Sequence, residues 1–169
     1  NGFAAGKLIR LNTDGSRDTT FDTSIGSLTG IIYNIALQID GSLIIAGSFT
    51  KYNSSTVNRI ARILPNGNLD LTFITLGAGN GVINAVQIQP DGKIIIVGTF
   101  TLYNGSLANR IIRLNSNGSD DSSFNTGMGF DDDLRTLAIQ SDGKIIVGGD
   151  FISYKGNTAK KIIRLNTDG

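Results

Sequence analysis

The sequence of 169 residues contains no cysteine, histidine, tryptophan or glutamate. Without cysteine there is no disulfide framework, thiolate nucleophile or thiolate zinc site. Without histidine there is no imidazole ligand and no catalytic triad of the serine-hydrolase kind. All 14 acidic residues are aspartate, so any catalytic carboxylate pair would have to be Asp with Asp. These absences favour a protein that is not an enzyme, and we expect neither a cofactor nor a bound metal.

Strong net charge and long apolar runs are also missing. A net charge of +1 gives no electrostatic footprint for nucleic acid. No apolar run reaches the roughly 18 residues that a membrane helix needs, so we expect no membrane insertion. The chain is 40% apolar and 17% charged, which is the balance of a globular protein.

Short Asp-Gly or Asn-Gly pairs recur along the whole chain at a regular spacing. They begin at Asp14, Asp40, Asn66, Asp91, Asn117, Asp142 and Asp168. The intervals are 25 or 26 residues, which indicates a repeat of about 51 residues that carries two tight turns.

The repeat divides the chain into two complete units and two partial ones. The units are 1–31 (partial), 32–82, 83–133 and 134–169 (partial). Residues 1–15 repeat the register of 155–169, and the pattern is cut inside a turn. We therefore interpret the chain as a single repeat array that is a fragment of a larger protein.

Each unit is predicted to contain four short β-strands and no helix. In the middle unit strand A is about 82–89, B about 93–100, C about 110–115 and D about 119–124. Asn-Gly and Asp-Gly between β-rich runs favour tight hairpins, because both pairs tolerate positive φ. No window shows a convincing 3.6-residue periodicity.

Strand B is apolar on both sides, so both of its faces must be covered. Stacked four-stranded antiparallel sheets achieve this in a β-propeller, which is the predicted fold. Gly47, Gly98 and Gly149 are expected at the end of an inner strand, where blades crowd the central axis. About three blades do not close a ring of 4–8, so we expect other repeats of the same chain or neighbouring chains as partners. A β-trefoil, which also has three repeats of four strands, is the alternative fold.

The repeat resembles a known family. The matching stretches are 140–151, 154–156, 161–169 and 121–124. They resemble the delta-sixty repeat family, with a looser likeness to kelch repeats. The resemblance implies a β-propeller in a large surface-exposed or secreted bacterial protein, or in some phage proteins. It implies no catalytic residues.

Most conspicuous side chains recur once per unit and are therefore interpreted as scaffold. One repeated position holds arginine, at Arg10, Arg62, Arg113 and Arg164. Another holds aspartate, at Asp18, Asp70 and Asp121. We hypothesise that the repeated arginine and aspartate form ion pairs within one blade or between neighbours. A calcium loop at the turns is a weaker interpretation, because arginine stands where the leading acidic ligand belongs.

Four residues break the repeat pattern and form the candidate interaction loop: Phe130, Asp131, Asp132 and Asp133. In an up-and-down blade every Asp-Gly or Asn-Gly turn lies on one face of the disc. The longer segments, 50–58, 101–109, 152–160, 22–31, 74–81 and 125–133, lie on the other. Binding residues concentrate on such variable loops.

Three functions are consistent with this pattern. The first is a non-enzymatic interaction module of an extracellular or cell-surface protein that binds a glycan or a surface protein. The second is a structural or receptor-binding part of a phage virion. The third is a propeller hydrolase that uses aspartate.

Overall fold

A computed structural model of the chain describes residues 8–21, 28–73 and 79–169. The predicted loops at 22–31 and 74–81 therefore lie partly outside the described residues. Every regular element in the described residues is a β-strand, so the all-β prediction is confirmed. None of the described residues forms a helix long and apolar enough to cross a membrane.

The strands fall into three consecutive groups of five, which we name blades 1, 2 and 3. They are β1 (Ile32–Leu37), β2 (Leu43–Gly47), β3 (Lys51–Tyr52), β4 (Ser55–Thr56) and β5 (Ile60–Ile63); β6 (Ile83–Ile88), β7 (Ile94–Gly98), β8 (Leu102–Tyr103), β9 (Ser106–Leu107) and β10 (Ile111–Leu114); β11 (Leu134–Ile139), β12 (Ile145–Gly149), β13 (Ser153–Tyr154), β14 (Asn157–Thr158) and β15 (Ile162–Leu165). In each blade the first, second and fifth strands form one antiparallel sheet in that order. They correspond to the predicted strands A, B and C.

The predicted strand D is reduced to a single bridge in the units of blades 1 and 2. Leu114 pairs with Asp120 and Ile63 pairs with Leu69, but the pairing does not continue. The chain turns away because the Asp121 carboxylate accepts a hydrogen bond from the Ser123 backbone N–H. This local bond competes with a longer ladder.

Residues 8–21 repeat this outer half of a unit. Leu11 pairs with Arg17 in the register of the other two bridges. Leu8 and Phe21 pack with Ile45 and Ala61 of blade 1. Residues 8–21 are therefore the C and D portion of a further unit, stacked on the outer part of blade 1.

The core lies between the blades. In β7 all five residues are buried, as the unbroken apolar pattern predicts. Ile96 packs with Ile44 of blade 1, whereas Ile95 packs with Leu137 of blade 3. Alternate side chains of β7 thus fill two different interfaces. The burial of each side chain contributes about 1.5–3 kcal/mol to stability.

The glycine that ends each B strand is needed for a close approach inside its own sheet. A Cβ on Gly98 would collide with the backbone carbonyl of Val82, and one on Gly149 with that of Asp133. The A–B register shifts at the same place, between Ile83 and Ala85 in blade 2. The predicted crowding is present, but its source is the bulged neighbouring strand and not the central axis.

The B–C connections, which the sequence predicts as longer loops, each contain a short two-stranded hairpin. Each one folds back to contact the C–D turn or strand D of its own blade. The Tyr52 hydroxyl donates to the Gly67 carbonyl oxygen at 2.6 Å, and Asn104 Nδ2 donates to Asp120 Oδ1 at 3.2 Å. The hairpins therefore belong largely to the scaffold.

Candidate functional site

The connections between strands D and A lie beside the B–C hairpins. Thr29 pairs with Lys51, Gly79 with Tyr103, and Phe130 with Tyr154. We call the surface formed by residues 28–31, 79–82, 125–133 and the three B–C connections the loop face. The surface formed by the Asp-Gly and Asn-Gly turns is the turn face.

Three of the four repeated arginines, Arg10, Arg62 and Arg113, are engaged in scaffold contacts. Arg113 Nε donates to Asp121 Oδ2 at 2.6 Å, and Nη2 donates to Ser123 Oγ at 3.0 Å. Its guanidinium lies 4.7 Å from the ring centroid of Phe124. Its Nη1 donates at 2.6 Å to the carbonyl oxygen of Thr167 in the next blade. The same set of contacts recurs around Arg10 and Arg62. The hypothesis of repeated Arg–Asp pairs is therefore confirmed.

The partner carboxylates are held in their charged form. Burial alone would raise the pKa of Asp121, but hydrogen bonds from Ser123, Lys93 and Arg113 hold it well below its ordinary value. Hydrogen bonds from Thr20 and Arg10 lower the pKa of Asp18 to about 2. These aspartates are therefore unsuited to act as proton donors at neutral pH.

The turn residues resemble part of a calcium loop, but their side-chain oxygens already accept hydrogen bonds within the turn. Asp14 Oδ1 accepts from both the backbone N–H and the hydroxyl of Ser16. Asn117 makes the same two bonds with Ser119. In the part of the chain that the structure describes, no group of three or more Asp side chains could hold a metal ion.

Phe130, the first residue of the candidate interaction loop, is buried. Its ring centroid lies 4.7 Å from that of Phe151 and 4.4 Å from that of Tyr154. Leu28 and Gly79 occupy the same position in the preceding units. Phe130 therefore anchors the 125–133 connection from below and is not accessible to a partner.

Asp131 is exposed, but one of its oxygens has a structural role. Oδ1 accepts hydrogen bonds from the backbone N–H groups of Ile152 and Ser153, at 3.1 and 2.9 Å. These bonds, chiefly that from Ser153, lower the pKa of Asp131. Asn80 makes the equivalent bonds in blade 2. Asp131 thus replaces an asparagine of the scaffold and adds a charge to the loop face.

Asp132 and Asp133 belong to a mixed-charge cluster. Asp133 Oδ2 lies 3.4 Å from Arg135 Nη2, and Asp133 Oδ1 lies 4.0 Å from Arg110 Nε. Arg135 also pairs with Asp150 at 2.7 Å, and this pairing raises the pKa of the arginine. The acidic run is therefore largely balanced by cations, which argues against a dedicated cation site.

A groove of about 280 Å³ opens on the loop face between blades 2 and 3. Its walls include Asn109, Arg110, Met128, Asp131 and Ser153. Met128 is 73% exposed, so the groove includes an apolar side chain that is open to solvent. We call this feature the blade 2–3 groove.

Sequence reasoning misses most residues of the blade 2–3 groove. The repeat assigns Arg110 to the scaffold, because Arg59 and Lys161 occupy the same repeat position. Met128 is the only methionine of the chain and lies in the connection that departs most from the repeat. A lone methionine in the connection that departs most from the repeat is the sequence signal that points to this groove.

Antiparallel sheets that repeat every 51 residues and bury their cores between one another define a β-propeller. A family model described as "Domain of unknown function (DUF5122) beta-propeller" matches residues 1–21, 38–73, 89–124 and 140–169. The chain belongs to this family. A search of curated proteins finds no match.

Among solved structures, the chain is similar to a protein from Thermus thermophilus with the provisional assignment oxidoreductase (glucose dehydrogenase). The TM-score is 0.51 and the identity is 20%. The match covers 88% of this chain and 46% of that chain, so the present chain spans about half the length of its structural relative. At this identity the likeness supports the fold alone.

Proposed function

We propose that this propeller is a non-enzymatic interaction scaffold that binds a glycan through the blade 2–3 groove. The observation that carries the proposal is the exposed Met128 beside Arg110 and Asp131 on the loop face. Elsewhere the prominent charged and aromatic side chains mostly follow the repeat and are engaged in scaffold contacts. The groove is where side chains outside the repeat pattern meet a concave surface.

The groove chemistry fits a carbohydrate. Asn109, Arg110 and Asp131 offer hydrogen-bond donors and acceptors for hydroxyl groups, and Met128 offers an apolar surface for a sugar ring. Small-ligand sites commonly combine an apolar lining with a few polar groups in this way.

The likeness to delta-sixty repeats supports a place in a secreted or surface-exposed bacterial protein with a role in adhesion. A surface protein is the second partner class. A structural or receptor-binding role in a phage virion is the alternative, since the same repeats occur in phage proteins.

An aspartate-based hydrolase is the third candidate and is less favoured. Such chemistry needs two carboxylates with pKa values pushed apart. Burial raises the pKa of Asp120 and hydrogen bonds lower that of Asp131, but Asp120 does not line the blade 2–3 groove with Asp131, so the two carboxylates do not share this site.

Binding to a glycan array tests the proposal. We expect the wild-type chain to bind a limited set of glycans and Met128→Asp to lose that binding. Ile39→Asp is the matched control, because Ile39 is a fully exposed apolar residue in a tight turn of the turn face. Equal binding by wild type and Met128→Asp, or release of free sugar from the bound glycans, would contradict the proposal.

A further inference from the structure

Blades 1 and 2 carry pockets at equivalent positions on their outer parts. Each pocket lies between the B–C hairpin, strand C and the residues that follow the C–D turn of the same unit. We call them the blade 1 rim pocket, of about 140 Å³, and the blade 2 rim pocket, of about 220 Å³. Ile60 and Phe73 in the first correspond to Ile111 and Phe124 in the second. The two pockets therefore share a frame, and their differences show what is particular to blade 2.

Three differences between the units enlarge the blade 2 rim pocket and make it more polar. Two leucines and a valine of the blade 1 rim pocket are replaced by smaller side chains in blade 2. The equivalent pairs are Val57 and Ala108, Leu69 and Asp120, and Leu71 and Ser122. Blade 2 thus opens space where blade 1 has apolar side chains, and it places the Asp120 carboxylate beside that space.

Asp120 is partly buried and pairs with no cation among the described residues. Its Oδ1 accepts a hydrogen bond from Asn104 Nδ2 at 3.2 Å. The adjacent Asp121 takes two nearby cations, because its Oδ2 lies 2.6 Å from Arg113 Nε and 2.9 Å from Lys93 Nζ. Burial without a compensating cation raises the pKa of Asp120. A cation bound beside Asp120 would therefore be attracted more strongly than one beside a fully solvated carboxylate.

The hydroxyl of Tyr103 is a second unsatisfied polar group near Asp120. The side chain is buried, and its hydroxyl has no hydrogen-bond partner in the described residues. Burial, and secondarily the charge of Asp120, raises the pKa of this phenol. In blade 1 the equivalent hydroxyl of Tyr52 donates to the Gly67 carbonyl oxygen. The lone carboxylate and the unpaired hydroxyl therefore distinguish blade 2 from blade 1.

The lining of the blade 2 rim pocket selects the kind of ligand. Ala108, Ile111 and Phe124 are buried and supply apolar walls. A hard metal cation needs several oxygen ligands, and the part of the chain that the structure describes has no group of three or more Asp that could hold one. An alkylammonium ion needs only hydrogen-bond acceptors for its N–H groups and an apolar surface for its chain. A cationic head on an apolar chain therefore matches the pocket.

We propose that the blade 2 rim pocket binds a primary alkylammonium group. The ammonium nitrogen pairs with Asp120, and the alkyl chain contacts Ala108, Ile111 and Phe124. The inference is independent of the glycan proposed for the blade 2–3 groove, because different residues line the two sites.

Amide chemical shifts of the isotope-labelled chain, titrated with n-butylammonium chloride at constant ionic strength, test the proposal. We expect saturable shifts at Asp120 and Ser122. Leu69 and Leu71 of the blade 1 rim pocket are the internal control and should show none. n-Butanol, which has a similar shape but no charge, should not saturate the pocket. Equal saturation by n-butanol, no saturation by n-butylammonium, or saturation of the same amides by calcium chloride would overturn the proposal.

Two variants separate the charge from the space. Asp120→Asn keeps an acceptor for Asn104 and should weaken n-butylammonium binding by about tenfold or more, because it removes a charge-assisted hydrogen bond. Ala108→Val combined with Ser122→Leu gives the pocket two residues of blade 1, retains Asp120 and should abolish saturation. Asp40→Asn removes an equal charge from an exposed position on the turn face and should bind as wild type does. Circular dichroism confirms folding, and wild-type affinity in either pocket variant would contradict the proposal.

A lysine side chain of a partner protein and a small free amine offer the same alkylammonium group. N-acetyl-lysine methylamide presents lysine as it occurs within a protein chain, and its titration is compared with that of n-butylammonium. Tighter binding of the lysine compound would support a partner protein, and the reverse order would support a small amine. Failure of both compounds to saturate the pocket would overturn the alkylammonium site.

Discussion

Three of the repeated arginines, Arg10, Arg62 and Arg113, each join two neighbouring units. Arg62 pairs with Asp70 in its own unit and donates to the Ser116 carbonyl in the next one. The Arg–Asp pair could be predicted because both residues recur with the repeat. The bond to the next blade could not, because its acceptor is a backbone carbonyl 54 positions away, which any residue type supplies.

We expect Arg113→Met to reduce the free energy of unfolding by about 3–5 kcal/mol, because it removes one of the two cations, Arg113 and Lys93, that pair with the buried Asp121 carboxylate. Arg164→Met is the matched control. It occupies the same repeat position, but Arg164 is exposed, and the expected change is within about 0.5 kcal/mol. Urea denaturation measures both, and equal losses would contradict a contribution from the buried pair.

Phe130 is a residue for which prediction from the repeat fails. It breaks the repeat pattern, and that departure predicts an exposed contact residue. The structure instead places it on Phe151 and Tyr154, both of which follow the pattern. An out-of-phase residue can therefore fill a space that neighbouring units fill differently, here with Leu28 or Gly79.

The B–C hairpins are held by contacts that differ from blade to blade. The Tyr52 hydroxyl has a buried hydrogen bond to Gly67. The equivalent hydroxyl of Tyr103 is buried without a hydrogen-bond partner in the described residues, and burial raises its pKa. The two tyrosines are alike in sequence position but not in energetics.

We therefore expect Tyr52→Phe to lower the free energy of unfolding by about 1 kcal/mol, since it leaves the Gly67 carbonyl without its donor. Tyr103→Phe should be neutral or slightly stabilising, because it removes an unsatisfied buried group. Thermal or urea denaturation of the two variants tests this. A larger loss for Tyr103→Phe would contradict the hydrogen-bond assignment.

Strands A, B and C follow directly from the sequence because hairpin turns and apolar runs are local signals. The hairpin β8–β9 and the shortened strand D do not. Two-residue strands carry too little pattern to detect, and strand D ends because the Asp121 side chain takes a backbone donor. The candidate site could be predicted only in part, since the blade 2–3 groove joins residues from two units.

In the whole molecule the position of a blade in the array decides which surfaces are buried. The fold and its interblade core could be predicted, because a strand that is apolar on both faces requires a neighbour on each side. Which end faces stay uncovered could not be predicted from a repeat that gives every unit the same pattern. The loop-face groove depends on this stacking, because it lies between blades 2 and 3.

The most direct test of the stacked-blade fold compares Val86→Asp with Ile35→Asp. The two variants make the same change at equivalent positions of blades 2 and 1. Equilibrium unfolding in urea measures the loss for each variant. We predict a loss of at least about 3–5 kcal/mol for Val86→Asp, because the charge enters the core between two blades. For Ile35→Asp we predict a loss below about 1 kcal/mol, because its side chain is half exposed. Similar losses for the two variants would contradict the stacked-blade account.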